Sequence, residues 1–339
     1  MSDHSERPMQ MTLEEITADM ERLANEGMDR RQFLKQTARG AIATLVSASV
    51  LASPVFAQLA GKPVATPNAT TGKSRVVLVK HPRLQGDTGR TLNPTVLNDV
   101  MTAGLCSLTG AKTLQDAWKT IVKPEDNVAI KWNELGGLNI VTYNDLKAAV
   151  KNQVIATGVA PANVLLWGRP PAGQIPEQAK DFGPVRTFPN GTTARITNGL
   201  EQWATSLISL PVVKMHWGTQ MTISMKLHYG SVQNPGQLHG NAQAPMWQNI
   251  AYLNAQECIK NKTRLIIADA VRPQWNDGPG DKPQYRWDYN GFIFGTDPVA
   301  VDAVGCAILE KKRQEVGLSP ATDAQKTLAL AQELVIGKS

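Results

Sequence analysis

Residues 126–133 read DNVAIKWN, a run of Val, Ala and Ile that closes on Lys131, Trp132 and Asn133. A short, near-continuous apolar run is the pattern of a strand buried on both faces of a sheet. Polar residues at its end mark the edge where open α/β sheets bind their ligands, outside the carboxyl ends of the strands. Similar runs recur on both sides of it. RVVLVK at Arg75–Lys80, NVLLW at 163–167, Ser206–Leu210, RLIIAD at 264–269 and 291–294 all read as strands. Helical patterns separate them. Asn93-Pro94 opens one that runs to about Leu108, Thr142 caps another that ends at Gly158, and a third starts near Asp297. The alternation predicts an α/β fold with a mostly parallel central sheet flanked by helices. This is Rossmann-like layering without a dinucleotide fingerprint, because no G-x-G-x-x-G follows the first strand. P-loop and G-x-S-x-G motifs are absent too.

The first 57 residues read as a removable targeting segment rather than as fold. Arg30-Arg31 stand in DRRQFLK, an apolar run follows from Ala41 to Leu51, and Val55 and Ala57 fit a signal-peptidase site. The pattern resembles a twin-arginine signal, with cleavage expected after Ala57 and residence in the periplasm or the medium. The apolar run is too short for a bilayer core of about 30 Å, so no transmembrane segment is expected in the mature chain. An amphipathic stretch (Ile16, Met20, Leu23) precedes the arginines, and both Met1 and Met28 are available as starts. Residues 58–74 read as a flexible leader and residues 75–339 as one α/β domain. Export by this route carries folded proteins, many with an inserted cofactor, which favours a bound cofactor without identifying it; a divalent metal is one candidate.

Without residues 1–57 the chain keeps 29 basic against 21 acidic residues, a net charge near +8. No Lys/Arg-rich run appears, which excludes the usual nucleic-acid footprint and favours a small anionic partner. Cys106, Cys258 and Cys306 stand far apart with no CxxC, so no iron–sulfur cluster is expected from this chain.

Three of the five histidines fall in one span: His216 and His228 each follow a lysine by two positions (Lys214, Lys226), and His239 lies just beyond. Three alternatives are open, the plainest being a solvated surface segment with ordinary charges. A metal would use His216, His228 and Asp269, but the spacing matches no compact zinc signature and the lysines repel a cation. An anion would use Lys131, Asn133, Thr222, Lys226 and Asp297, with amides of a helix starting near Thr219. His216, Lys214 and Asp302 are then the catalytic candidates, with His216 as general base or oriented donor. All of these residues are expected in one cleft at the carboxyl edge of the sheet.

Three segments together resemble a known family. They are VAIKWN at 128–133, LPVVKMH at 210–216 continuing through MTISMK at 221–226 to Gly230, and GTDPVAVD at 295–302. The chain is similar, over about residues 75–312, to the family catalogued as domain of unknown function 362. It looks like an exported member without ferredoxin-like clusters. Leu227 stands where Asn is usual in that pattern. The resemblance implies that Lys131, Asn133, Lys214, His216, Thr222, Lys226, Asp297 and Asp302 are motif residues, and it supplies no reaction for them. The expectation is a basic Lys/His/Asp site for an anionic small molecule or cofactor, with a redox-linked enzyme as one form. A non-enzymatic accessory protein of a periplasmic redox complex and a His/Asp metalloprotein are the alternatives.

Overall fold

The computed structural model describes residues 74–86, 90–169, 181–334 and 336, together with the backbone of two strands at Met9–Met11 and Ile42–Ser47. The twin arginines and the expected cleavage site lie outside the described residues. Among the described residues, no helix is long and apolar enough to cross a membrane.

Seven strands build the central sheet: β1 (Arg75–Lys80), β2 (Val128–Trp132), β3 (Val164–Trp167), β4 (Ser206–Leu210), β5 (Val212–Lys214), β6 (Thr263–Gln274) and β7 (Gly291–Gly295). Their order is β1-β7-β6-β4-β2-β3, with β5 continuing beside the second half of β6. Four pairings are parallel, those of β2 with β3, β2 with β4, β4 with β6 and β5 with β6. Only β7 runs against the rest, antiparallel to both β6 and β1. Outside β1, Ile42–Ser47 pairs antiparallel with it, and Met9–Met11 pairs parallel with Ile42–Ser47.

Helices cover both faces, as the strand sequences require. Along β6, Leu265, Ile267 and Val271 enter one core while Ile266, Ala268 and Ala270 enter the other. That alternation is the two-residue period of a strand buried on both sides. The first core packs under α1 (Pro94–Thr109), α2 (Leu114–Ile121) and α3 (Asn144–Ala156). The second packs under α4 (Met246–Asn254), α5 (Pro298–Glu315) and α6 (Thr322–Glu333). The α1 helix starts as its sequence dictates: Asn93 Oδ1 accepts from the Thr95 and Val96 amides, Pro94 takes the first turn, and Gly110 ends it at φ 79°.

Two sequence expectations about local structure are corrected. Thr142 does not cap α3; Tyr143 holds that position and makes no side-chain cap bond. The Thr142 hydroxyl instead donates to the Leu210 carbonyl at 2.7 Å and accepts from the Asn133 amide at 2.9 Å, tying β2 to β4. Strand β7 is also reversed relative to its neighbours. Residues 275–290 return the chain from β6 without a crossover helix, and a direct return to the adjacent strand is antiparallel. Its far end, Gly295, therefore pairs with Ile266 and Val76, at the amino edge of the sheet. Asp297 follows there, across the sheet from the ends of β2 and β5.

Candidate functional site

Three chain segments converge at the carboxyl edge. The first is the β2–α3 loop. Asn133 Nδ2 donates to the carbonyls of Leu135 and Ile140, both at 3.0 Å, which folds residues 133–140 into a fixed arch. Lys131, fully buried, donates to the Trp132 carbonyl at 2.9 Å and to the Gly168 carbonyl at 2.5 Å. The second segment is β5 and the turn after it. Lys214 Nζ donates to the Leu135 carbonyl at 2.5 Å and the Ile140 carbonyl at 3.4 Å, so the arch shaped by Asn133 receives the Lys214 amine. Gly136 sits in that arch at φ 126°, and a Cβ there would meet Lys214 Nζ and the Pro279 carbonyl, each at 2.7 Å. Glycine is required on both counts.

The third segment carries Lys226. Thr222 pairs with Lys214 through both backbone bonds, and its hydroxyl donates to the Lys214 carbonyl at 3.2 Å. No helix starts near Thr219. The chain turns there, with the Gln220 amide donating to the His216 carbonyl at 2.7 Å, and the short helix Ser224–Leu227 begins later. Its first amides are occupied, because the Ser224 amide donates to Asp302 Oδ1 at 2.7 Å and the Met225 amide to Oδ2 at 3.1 Å. The Ser224 hydroxyl also donates to Asp302 Oδ1. The expected helix-amide contribution to an anion site is therefore corrected: the Asp302 carboxylate already fills that end. What the helix presents is Lys226, whose Nζ stands 3.4 Å from the Tyr229 ring centroid.

The electrostatics follow from burial without counter-charge. Among the described residues, Lys131, Lys214 and Lys226 make no ion pair. Burial lowers Lys131 to about 7, against a pull upward from Glu134 and a further push down from Arg169. Burial lowers Lys214 to about 7, with Arg90 adding to the effect and Asp281 opposing it. Asp281 is itself engaged, 3.0 Å from Arg286 and bonded to Asn139 Nδ2 at 2.9 Å. Burial and the neighbouring Lys214 lower Lys226 to about 7. Lys214 and Lys226, close enough to act on each other and each without a carboxylate partner among the described residues, form a site built to be completed by negative charge, while Lys131 lies apart beside His228.

The histidines are held neutral beside them. Burial, then Lys226, His239 and Lys214, lower His216 to about 3. Its Nδ1 accepts from the Gly218 amide at 3.0 Å, which leaves the proton of the neutral ring on Nε2. His239, lowered by burial and then by Lys226, has Nδ1 at 3.1 Å from the Pro235 carbonyl, so that nitrogen carries its proton. The His216 and His239 rings lie 5.8 Å apart between centroids. His228 is buried elsewhere: Lys131 is the charge acting on it, and its Nδ1 has no hydrogen-bond partner.

The acids stand apart from this cluster. Asp297 Oδ1 accepts from the Val299 and Ala300 amides at 2.8 and 3.1 Å as the cap of α5, and Oδ2 accepts from Ser74 at 2.5 Å. The expectation of one cleft shared by every motif residue fails for Asp297, because the reversed β7 puts it at the other edge. Asp302 is fully buried, raised by desolvation to about 7 despite the bonds from Ser224 and Met225. Asp269, raised by burial to about 6, accepts from the Val271 amide at 3.0 Å and feels Arg90. The expected metal set of His216, His228 and Asp269 is not assembled. Among the described residues, no three His, Cys, Asp or Glu side chains form a group able to hold a metal ion. All three cysteines are free thiols, Cys258 and Cys306 buried.

Sequence reasoning missed Arg90, Tyr229 and Gly136. Arg90 donates to the Leu138 carbonyl at 2.7 Å and to the Val141 carbonyl, and lies 4.2 Å from the Tyr143 ring centroid. Nothing in its local sequence marks it. Gly136-Gly137 was a legible signal for close backbone approach.

Residues 182–307 match the family model described as Domain of unknown function (DUF362), which supports membership in that family. The matched segment contains Lys214, His216, Thr222, Lys226, Asp297 and Asp302, whereas Lys131 and Asn133 lie before it. No curated protein matches the chain.

Proposed function

We propose that this protein, whose membership in the domain of unknown function 362 family that match supports, binds an anionic small molecule at the Lys214–Lys226 cluster. The supporting observation is that buried Lys131 and Lys214 and half-buried Lys226 make no ion pair among the described residues, and their desolvation lowers all three amines. An arriving phosphate, sulfate or carboxylate supplies the missing charge, restores the ammonium form and converts a buried cost into charge-assisted hydrogen bonds. Lys214 and Lys226 hold the anion, and Asn133 keeps the arch that aims Lys214. His216 offers its Nε2 proton as a fixed donor. With its pKa near 3 it is a poor proton acceptor, so an unprotonated lysine amine is the base available at neutral pH. We also propose, from the twin-arginine pattern, that the protein works after export and is matured at Ala57.

Calorimetric titration of the full chain with sulfate tests this reading. One sulfate per chain is expected, with Lys214→Met and Lys226→Met each weakening it. Equal affinity in wild type and both variants would overturn it.

A further inference from the structure

Beside the amines stands a group of rings that anion binding does not use. Trp217 lies 71% exposed, whereas Trp118 and Trp167 are buried. Its ring is stacked at 5.4 Å and 29° against His216 and at 6.0 Å and 18° against His239. The two histidines are inclined by 32° to each other. Three rings thus lie within about a third of a right angle of one another, and two are neutral imidazoles at physiological pH. Tyr229 closes the group edge-on to His239 at 5.6 Å, and the same Tyr229 ring carries the Lys226 amine. The array is therefore continuous with the anion site.

The Trp217 exposure is built in. Its amide donates to the Gly278 carbonyl at 3.1 Å, which pins the turn that carries it. The same loop receives the β2–α3 arch, since the Asp281 amide donates to the Gly136 carbonyl at 2.6 Å. On that arch Leu135 and Leu138 are 49% and 86% exposed. Three of the large apolar side chains exposed among the described residues thus belong to the two segments that surround Lys214. Surface apolar groups gathered at one place rather than scattered mark a binding site, and a flat, mostly exposed ring suits a planar partner.

On the reading that Lys214 and Lys226 bind an anion, we propose that the ligand is a planar aromatic or conjugated anion. Its acidic group reaches the lysines and its ring lies on Trp217, with Leu135 and Leu138 at the rim. Trp217 is then a specificity-determining residue, selecting the body of the ligand while the lysines select its charge. An exposed indole offers a ring face at no cost in buried polar groups, and its contribution is separable from that of the amines.

The test uses two probes with one headgroup, methanesulfonate and 2-naphthalenesulfonate, titrated into the full chain and into Trp217→Ala, Trp217→Phe and Lys226→Met variants. The expected result is roughly tenfold tighter binding of the naphthalene probe. Trp217→Ala should remove that advantage and leave methanesulfonate unchanged, and Trp217→Phe should keep most of it. Lys226→Met should weaken both probes. Equal affinity of the two probes for the wild type, or an advantage that survives Trp217→Ala, overturns the aromatic assignment and leaves anion binding standing. Failure of both probes and of sulfate to bind the wild type overturns the anion reading itself. Because Trp217 is exposed, its replacement leaves the core intact, and an unchanged melting temperature verifies this.

Discussion

Asp297, Asp302 and Lys214 are buried and Lys226 is half-buried, yet the acids and the amines are differently used. Asp302 and Asp297 have every carboxylate oxygen engaged, by two backbone amides and a hydroxyl in each case. They fasten the starts of two helices. Lys214 meets only two carbonyls, and Lys226 only the face of a ring. A buried ion whose hydrogen bonds are complete is part of the scaffold; one left without a counter-ion is waiting for something. Motif membership alone put all four residues in one expected cleft.

The sharpest way to break this contrast is to remove one member of each class and measure stability and binding together. Asp302→Ala should cost about 3 kcal/mol in urea denaturation, since it strands two buried amides and a hydroxyl. Lys226→Met should leave stability unchanged or raised, because it deletes a half-buried charge without an ion-pair partner among the described residues, while sulfate affinity falls roughly 10- to 100-fold. If Lys226→Met destabilises as much as Asp302→Ala, the lysine is structural and the contrast collapses. Asp297→Ala, a lost helix cap with an additional serine bond, should cost about 1–2 kcal/mol and not touch sulfate affinity. A change in affinity there would place Asp297 in the site after all.

A pH series separates the same two classes by sign. The folded-state pKa of the lysines, about 7, lies below their unfolded value of 10.5, so between these limits the unfolded chain binds more protons. Stability of the free protein should therefore rise with pH through that window. Asp302 goes the other way, with a folded value near 7 above the unfolded 3.8, so its contribution is present at low pH and is lost as pH climbs from about 4 to 7. Stability of the Lys131→Met, Lys214→Met and Lys226→Met variants should show a flatter alkaline limb, and Asp302→Asn a flatter acid limb. Identical profiles for all of them would contradict the assignment.

Much of the fold was legible because buried parallel strands carry their own signature. RVVLVK, VAIKW and VLLW can be read as strands without reference to anything distant, and Asn93 and Asp297 announce their helices through cap chemistry. Strand direction is not local information. GFIFG reads the same in either sense, and only the absence of a helix between β6 and β7 reverses it, which carried Asp297 to the wrong edge of the expected site. The lysine and histidine cluster was visible as spacing in the chain. Its division into Lys214, Lys226, His216 and His239 on one side and Lys131 with His228 on another was not. That division depends on which face of the sheet each strand end presents. Arg90 reaches the site through backbone carbonyls, a contact that leaves no trace in residue pattern, whereas Gly136-Gly137 was a signal left unread.

The central claim is that Lys214 and Lys226, desolvated and without an ion-pair partner among the described residues, await an anion, and proton linkage tests it most directly. Sulfate carries no titrating proton near neutrality, so its binding heat can be measured at pH 7.5 in two buffers of very different ionisation enthalpy. The account predicts net uptake of roughly one to two protons per sulfate bound, because the anion restores the ammonium form of Lys214 and Lys226, which with pKa values lowered to about 7 are mostly neutral at that pH. Binding without proton uptake, or no binding, would contradict it.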